Sequence, residues 1–198
     1  MRNYLLFLAL IFFLFSCSKG PDLKFNGSDI TEARLNSSFE LTSHLGKSTK
    51  IEDFEGKVVA IFFGFTYCPD ICPTTMYELK AIKDSLGDDG DKLQVVFVSL
   101  DPERDTIKLM ESYIPSFDSS FIGLTGSGDN IKKIASQYKI FYQKVGKGKN
   151  YTIDHSSAIY LIDKKGSIRV RHPYGSFATI LEFSWRNFSE LQRNTKTT

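Results

Sequence analysis

Two cysteines lie four residues apart in Cys68-Pro69-Asp70-Ile71-Cys72-Pro73, and they are the residues of this chain best suited to chemistry. A thiol becomes a nucleophile or a metal ligand when it loses its proton. The start of a helix, with its free N–H groups and positive dipole end, favours that loss. Pro73 suits a first helical turn, where its missing N–H costs nothing, so Cys72 is expected at a helix start and Cys68 in the loop before it. The spacing lets both sulfurs converge on one point, as a disulfide or on one metal ion; the alternative is a pair of small buried hydrophobes. His155, in Tyr151-Thr152-Ile153-Asp154-His155-Ser156, stands just before a late apolar stretch. A lone histidine is more often structural than a ligand, and here its position favours ligation. Two thiolates and an imidazole would form a soft, low-coordination site that suits Cu(I) and can hold Cu(II). Zinc usually takes a fourth protein ligand or an open water position. A nearby acid would fix the histidine tautomer and tune the sulfurs, and Asp154 and Asp101 are the candidates.

Those side chains need a frame to bring them together. Val58 to Phe65 is short, continuously apolar and rich in β-branched and aromatic residues, as a strand buried on both faces is, and Leu93 to Leu100 is expected as a second buried strand. Between them Met76, Leu79, Ile82 and Leu86 recur at helical spacing, and Gly87 stands where a C′ glycine would. Phe39 to Leu41 and Thr49 to Ile51 are expected as short strands around a turn at His44 to Lys47. Asp105-Thr106 can cap a helix through Leu109 and Tyr113 that stops before Pro115, and Asp129 one through Ile131, Ile134 and Tyr138. Phe121 to Leu124 is a further short strand. Ala158 to Ile162 and Ile168 to Arg171 flank a hairpin turn at Asp163-Lys164-Lys165-Gly166. Ile180, Leu181, Trp185, Phe188 and Leu191 mark a final amphipathic helix. The order β-α-β-α-β-α-β-β-α predicts an α/β fold with a mixed central sheet flanked by helices, its middle strands parallel and its terminal hairpin antiparallel. That is a thioredoxin-like layout. Such a fold presents reactive residues where the first buried strand ends and the next helix begins, which is where Cys68 and Cys72 fall, with the loop of His155 facing them.

The amino terminus bears on where this domain works. Arg2 precedes an almost unbroken apolar run from Tyr4 to Phe15, too short to span a bilayer comfortably and matched to a signal-peptide h-region. Leu14-Phe15-Ser16-Cys17 resembles a bacterial lipobox, although Phe15 is bulkier than the residue usual there. The expected organisation is a signal peptide over 1–16, lipidated Cys17 and a linker over 17–29, and one thioredoxin-like domain over 30–198. The alternative is an uncleaved anchor with an ordinary cysteine at 17. Either arrangement holds the domain at a membrane on the extracytoplasmic, periplasmic side. With Cys17 lipidated, Cys68 and Cys72 are the remaining thiols, in a compartment that permits disulfides. Lys+Arg 25 against Asp+Glu 23 gives a net charge of +2 with no basic block interleaved with aromatics, so no nucleic-acid partner is expected. Lys164, Lys165, Arg169 and Arg171 cluster near the terminal hairpin, either to steer an acidic partner or as the solvated face of an edge strand.

Three blocks, in order, resemble the Sco/SenC family of copper chaperones for cytochrome c oxidase assembly: Gly64-Phe65-Thr66-Tyr67-Cys68-Pro69-Asp70-Ile71-Cys72-Pro73, Ser99-Leu100-Asp101-Pro102-Glu103-Arg104-Asp105-Thr106, and Asp154-His155-Ser156. The similarity runs from about Ile30 to Leu191. It implies copper ligation by Cys68, Cys72 and His155, an acidic residue near the site at Asp101, and a membrane tether. The implied function is a metallochaperone that delivers copper to the binuclear site on the copper-bearing subunit of the oxidase. Other copper chaperones or thioredoxin-like reductants are further candidate partners. His44 departs from the pattern, since relatives often carry an acidic residue in that turn; it is expected as a surface turn residue.

Whether the chain is an enzyme stays open. The redox-active pair Cys68 and Cys72 could instead serve a thiol-disulfide oxidoreductase that reduces the oxidase's cysteines, or a copper-dependent redox sensor that releases metal on oxidation. A general thioredoxin has two residues between its cysteines rather than three, and carries a proline where this chain has none before Ala158. A peroxiredoxin places its threonine three residues before the cysteine, whereas Thr66 lies two before Cys68.

Overall fold

The computed structural model describes residues 27–148, 150–173 and 180. Its elements, in chain order, are β1 (Ser28–Asp29), β2 (Glu40–Ser43), β3 (Ser48–Lys50), β4 (Val58–Gly64), α1 (Ile71–Ser85), β5 (Leu93–Ser99), α2 (Ile107–Tyr113), β6 (Ile122–Thr125), α3 (Gly128–Gln137), β7 (Tyr142–Val145), β8 (Thr152–His155), β9 (Ala158–Ile162) and β10 (Ile168–Pro173).

Successive side chains of a strand point to opposite faces, yet every residue of β4 is buried. Val58, Ala60 and Phe62 join the cluster of Met76, Leu79 and Ile82 from α1 and Met110 from α2. Val59, Ile61 and Phe63 join Ile131, Ile134 and Ala135 of α3. A strand between two helical layers has no face for polar residues, which is why the run is unbroken. Each of the buried valine, isoleucine and phenylalanine side chains of β4 stabilises the fold by roughly 1.5–3 kcal/mol relative to exposure.

The main sheet has eight strands in the order β1-β10-β9-β4-β5-β6-β2-β3. β4, β5 and β6 are parallel neighbours, connected through α1 and α2, and β9 lies antiparallel on the other side of β4. The thioredoxin-like α/β arrangement is therefore present. It is widened at one edge by the β2–β3 hairpin and at the other by β1. α1 runs into Leu86 and ends at Gly87, whose φ of 56° is the left-handed conformation a glycine adopts without a Cβ penalty.

Some local expectations change. β10 is not an edge strand, because β1 pairs with Val170 and Arg171. His44 is 3% exposed rather than a surface residue. Its N–H donates to the Gly123 carbonyl at 2.8 Å and its Nδ1 accepts from the Gly123 N–H at 3.2 Å, which draws the turn onto β6. Burial lowers the His44 pKa, against the opposing pull of the Glu111 charge. Ser127 rather than Asp129 caps α3, accepting from the Asn130 N–H at 3.2 Å. Asp129 sits in the first turn, where a carboxylate complements the positive helix end. Thr106 alone caps α2, accepting from the Leu109 N–H at 3.3 Å, and Asp105 turns inward.

Residues 152–155 form β8, paired with β7 as a separate two-stranded sheet, so His155 does not lie in a loop. The expected leader, Cys17 and the final helix lie outside the described residues, apart from Ile180, which is buried in the α1 side of the core. Among the described residues no helix is long and apolar enough to cross a membrane.

Candidate metal centre

The site begins where β4 ends. A Cβ on Gly64 would fall 2.8 Å from Cys72 Sγ, 2.9 Å from Phe97 Cε2 and 3.1 Å from Phe62 Cε1, so only a residue without one lets the strand pass beneath the sulfur. The Gly64 carbonyl accepts from the Leu100 N–H at 2.7 Å, which ties the ends of β4 and β5 together. Asp105 closes the turn from below. Its carboxylate accepts from the Thr66 N–H at 3.0 Å, the Thr66 hydroxyl at 2.6 Å and the Ser99 hydroxyl at 2.6 Å. Burial raises the Asp105 pKa, and the hydrogen bonds from Ser99 and Thr66 restrain that rise.

From this turn the two cysteines diverge in environment. Cys68 is half-buried, its Sγ accepting from the Cys72 N–H at 3.5 Å, whereas Cys72 is fully buried on the first turn of α1. The hydrogen bond from the Cys72 thiol is the chief influence lowering the Cys68 pKa to about 5; burial opposes it, and the Asp70 and Cys72 amides add to it. Cys72 moves the other way, because it donates that bond and is buried. The pair is thus an accessible thiolate beside a buried thiol.

His155 arrives at the end of β8, opposite Tyr142 of β7. Its Nε2 is 3.8 Å from Cys72 Sγ, and its Nδ1 is 3.1 Å from the Ser156 carbonyl. A carbonyl only accepts, so Nδ1 carries the proton and the Nε2 lone pair faces the sulfur. Phe65 and Phe62 wall the imidazole, with ring centroids at 5.9 and 6.5 Å.

The structure therefore brings the expected ligands together unequally. Cys72 and His155 face each other, while Cys68 Sγ lies over the Cys72 amide. Among the described residues no three His, Cys, Asp or Glu side chains are gathered at metal-holding distance. Two sulfurs and one imidazole nitrogen with a free lone pair nonetheless form a soft donor set. Neither expected acid hydrogen-bonds to it. Asp154 is exposed on the face of β8 opposite His155, and the Ser156 carbonyl orients the ring instead. Asp101 is fully buried, accepting from the Tyr151 hydroxyl at 2.6 Å and from the Arg104 Nε–H. Gly64 and Arg104 had no role assigned from sequence, and Asp105 only that of a cap. The available signal for Asp105 was a second capping residue beside it, Thr106, which can take the cap and leave the carboxylate free to turn inward.

The fold that carries these side chains has counterparts in known proteins. A family model described as SCO1/SenC matches residues 27–181. The chain belongs to the SCO1/SenC family. Among Sco relatives, the SCO2-like protein RP587 of Rickettsia prowazekii is 37% identical over 164 residues, covering 81% of this chain and 77% of the relative. The structure of Bradyrhizobium japonicum ScoI with copper bound superposes with a TM-score of 0.70 at 36% identity, covering 76% of this chain and 97% of that one. Arabidopsis thaliana ScoI with copper bound gives a TM-score of 0.72 at 30% identity, over 79% and 99% of the two chains. The Cys turn, the Asp105 network and the β7–β8 hairpin all fall inside the Sco-matched residues.

Proposed function

We propose that this protein is a copper metallochaperone of cytochrome c oxidase assembly. Copper is its cargo, held by Cys68, Cys72 and His155 and passed by ligand exchange to the binuclear copper site of the oxidase's copper-bearing subunit. The observation that carries this reading is the approach of His155 Nε2 to Cys72 Sγ at 3.8 Å across 83 residues of sequence. It sets a nitrogen donor with a free lone pair against one sulfur, while the other sulfur stays accessible as a thiolate. An accessible thiolate is what an incoming ligand exchanges with, and thiolate donors select copper over harder ions. The copper-bound state of the two ScoI structures supports the same reading. In this proposal the apolar leader over 1–16 directs export and is removed, and a lipid on Cys17 then holds the domain at the extracytoplasmic face of a membrane.

Copper titration of the reduced and oxidised protein tests it. The reduced parent is expected to take up one equivalent, and Cys68→Ser, Cys72→Ser and the oxidised protein to lose that uptake. No uptake by the reduced parent, or a copper spectrum unchanged in His155→Ala, would falsify the ligand assignment.

One observation also favours thiol-disulfide exchange as a second activity, namely the contrast between the Cys68 thiolate and the buried Cys72 thiol. Cys68 would attack a partner's disulfide and release one partner thiolate. Cys72, losing its proton, would then displace the second and leave a Cys68–Cys72 disulfide with the partner reduced by two electrons. Turnover on a disulfide substrate alongside weak copper binding would rank this activity first.

A further inference from the structure

The β7–β8 hairpin that carries His155 shares no ladder with the main sheet, and a two-stranded hairpin has little stability of its own. Side chains must hold it in place. Ile153 supplies an apolar anchor in the core. Tyr151, the residue before β8, supplies a polar and aromatic one centred on Arg104.

The Arg104 guanidinium carbon lies 3.6 Å from the Tyr151 ring centroid and 4.7 Å from that of Tyr67. Its Nη1 donates to the Tyr151 carbonyl at 2.9 Å and its Nε to the Asp101 carboxylate, whose other oxygen accepts from the Tyr151 hydroxyl at 2.6 Å. Lys144 of β7 joins from the neighbouring strand, 4.7 Å from the Tyr151 ring and paired with Glu103 at 2.6 Å. Arg104 Nη2 is buried without a hydrogen-bond partner. On that side the group packs against the two rings, where a planar guanidinium can stack plane on plane while an ammonium acts only as a point charge.

The two rings belong to different arms of the metal centre. Tyr67 immediately precedes Cys68, and Tyr151 lies four residues before His155. We infer that Arg104 is a positioning residue that pins the His155 arm against the Cys68–Cys72 arm. Removing the pin lets the imidazole drift while the sulfurs stay fixed at the start of α1. Two thiolates satisfy Cu(I), whereas Cu(II) draws more on the nitrogen donor, so the drift weakens Cu(II) binding selectively. That spectroscopic consequence rests on the proposed copper site; the mechanical one does not.

The experiment compares the full-length reduced parent with Arg104→Ala, Arg104→Lys and His155→Ala. In the metal-free protein, Arg104→Ala is expected to speed amide exchange across 142–145 and 152–155 by about tenfold or more, with 58–64 and 93–99 unchanged. With one equivalent of Cu(II), Arg104→Ala is expected to lose the nitrogen coupling in the electron paramagnetic resonance spectrum, as His155→Ala does. Its Cu(I) affinity should stay within about threefold of the parent. Arg104→Lys, which keeps the charge without the plane, should follow Arg104→Ala, and it decides the matter if the alanine variant does not fold. Hairpin exchange at the parent rate, exchange raised equally through the main sheet, or full rescue by lysine would each overturn the inference. A parent that takes up no copper removes the copper reading alone, and the exchange result still decides the role of Arg104.

Discussion

Gly64→Ala tests whether the floor of the metal centre is set by the backbone. The added methyl would meet Cys72 Sγ at 2.8 Å, Phe97 Cε2 at 2.9 Å and Phe62 Cε1 at 3.1 Å. Comfortable contacts between such atoms lie at about 3.5–4.0 Å, so each neighbour must retreat by roughly 0.5–1 Å. None can do so freely: both rings are fully buried, and the sulfur is carried by the first turn of α1. Overpacking of this kind costs about 1–3 kcal/mol, and three blocked directions place the cost in the upper half, about 2–3 kcal/mol. For a domain of this size that corresponds to a fall in Tm of roughly 5–10 °C. Calorimetry of the reduced, metal-free protein reads it directly. The same displacement is a sizeable fraction of the 3.8 Å between Cys72 Sγ and His155 Nε2, so the nitrogen signature of bound Cu(II) should weaken in parallel. A Tm within about 2 °C of the parent would refute this account of Gly64 and show that the sulfur and rings yield without strain.

Two further outcomes depend on protonation. Cys68 should react with iodoacetamide at a rate that climbs around pH 5 and is flat by about pH 7, where an ordinary thiol near 8.5 is still climbing; mass spectrometry should find the label on Cys68 and not on Cys72. A rate that follows an ordinary thiol would remove the thiolate from the mechanism. His44 has a folded pKa below its unfolded value, so the native state binds fewer protons and stability falls as pH drops through the unfolded value of about 6.5. His44→Asn keeps an acceptor for the Gly123 N–H without the titration. Its urea midpoint should therefore fall less than the parent's between about pH 7.5 and about pH 5, and equal falls would contradict the burial argument.

The sequence announced the buried elements most clearly. β4 and β5 were legible because strands covered on both faces are almost wholly apolar, with Gln94 and Ser99 the polar exceptions in β5, and α1 because its apolar spacing ends at a glycine that the chain reversal needs. The hairpin of β7 and β8 was not. Tyr142-Gln143-Lys144-Val145 and Thr152-Ile153-Asp154-His155 are short and mostly solvated, so neither carries the apolar alternation that marks a strand. Missing that strand also led to Asp154 as the acid beside the histidine. Adjacency in a loop allows two side chains to meet, whereas adjacency in a strand sends them to opposite faces. His44 was misjudged for a related reason, since a turn becomes interior only when a distant strand, here β6, closes over it.

The placement of β4 also fixes an order of events during synthesis. Its two neighbours are β5, made soon after it, and β9, made only after both arms of the metal centre have been laid down. Until residues 158–162 emerge, the most apolar strand of the chain has one open edge, and an open apolar edge is a template for pairing with other chains. The nascent protein therefore exposes a sticky edge while both cysteines are already made, and one late strand covers that edge just after the histidine of the proposed donor set.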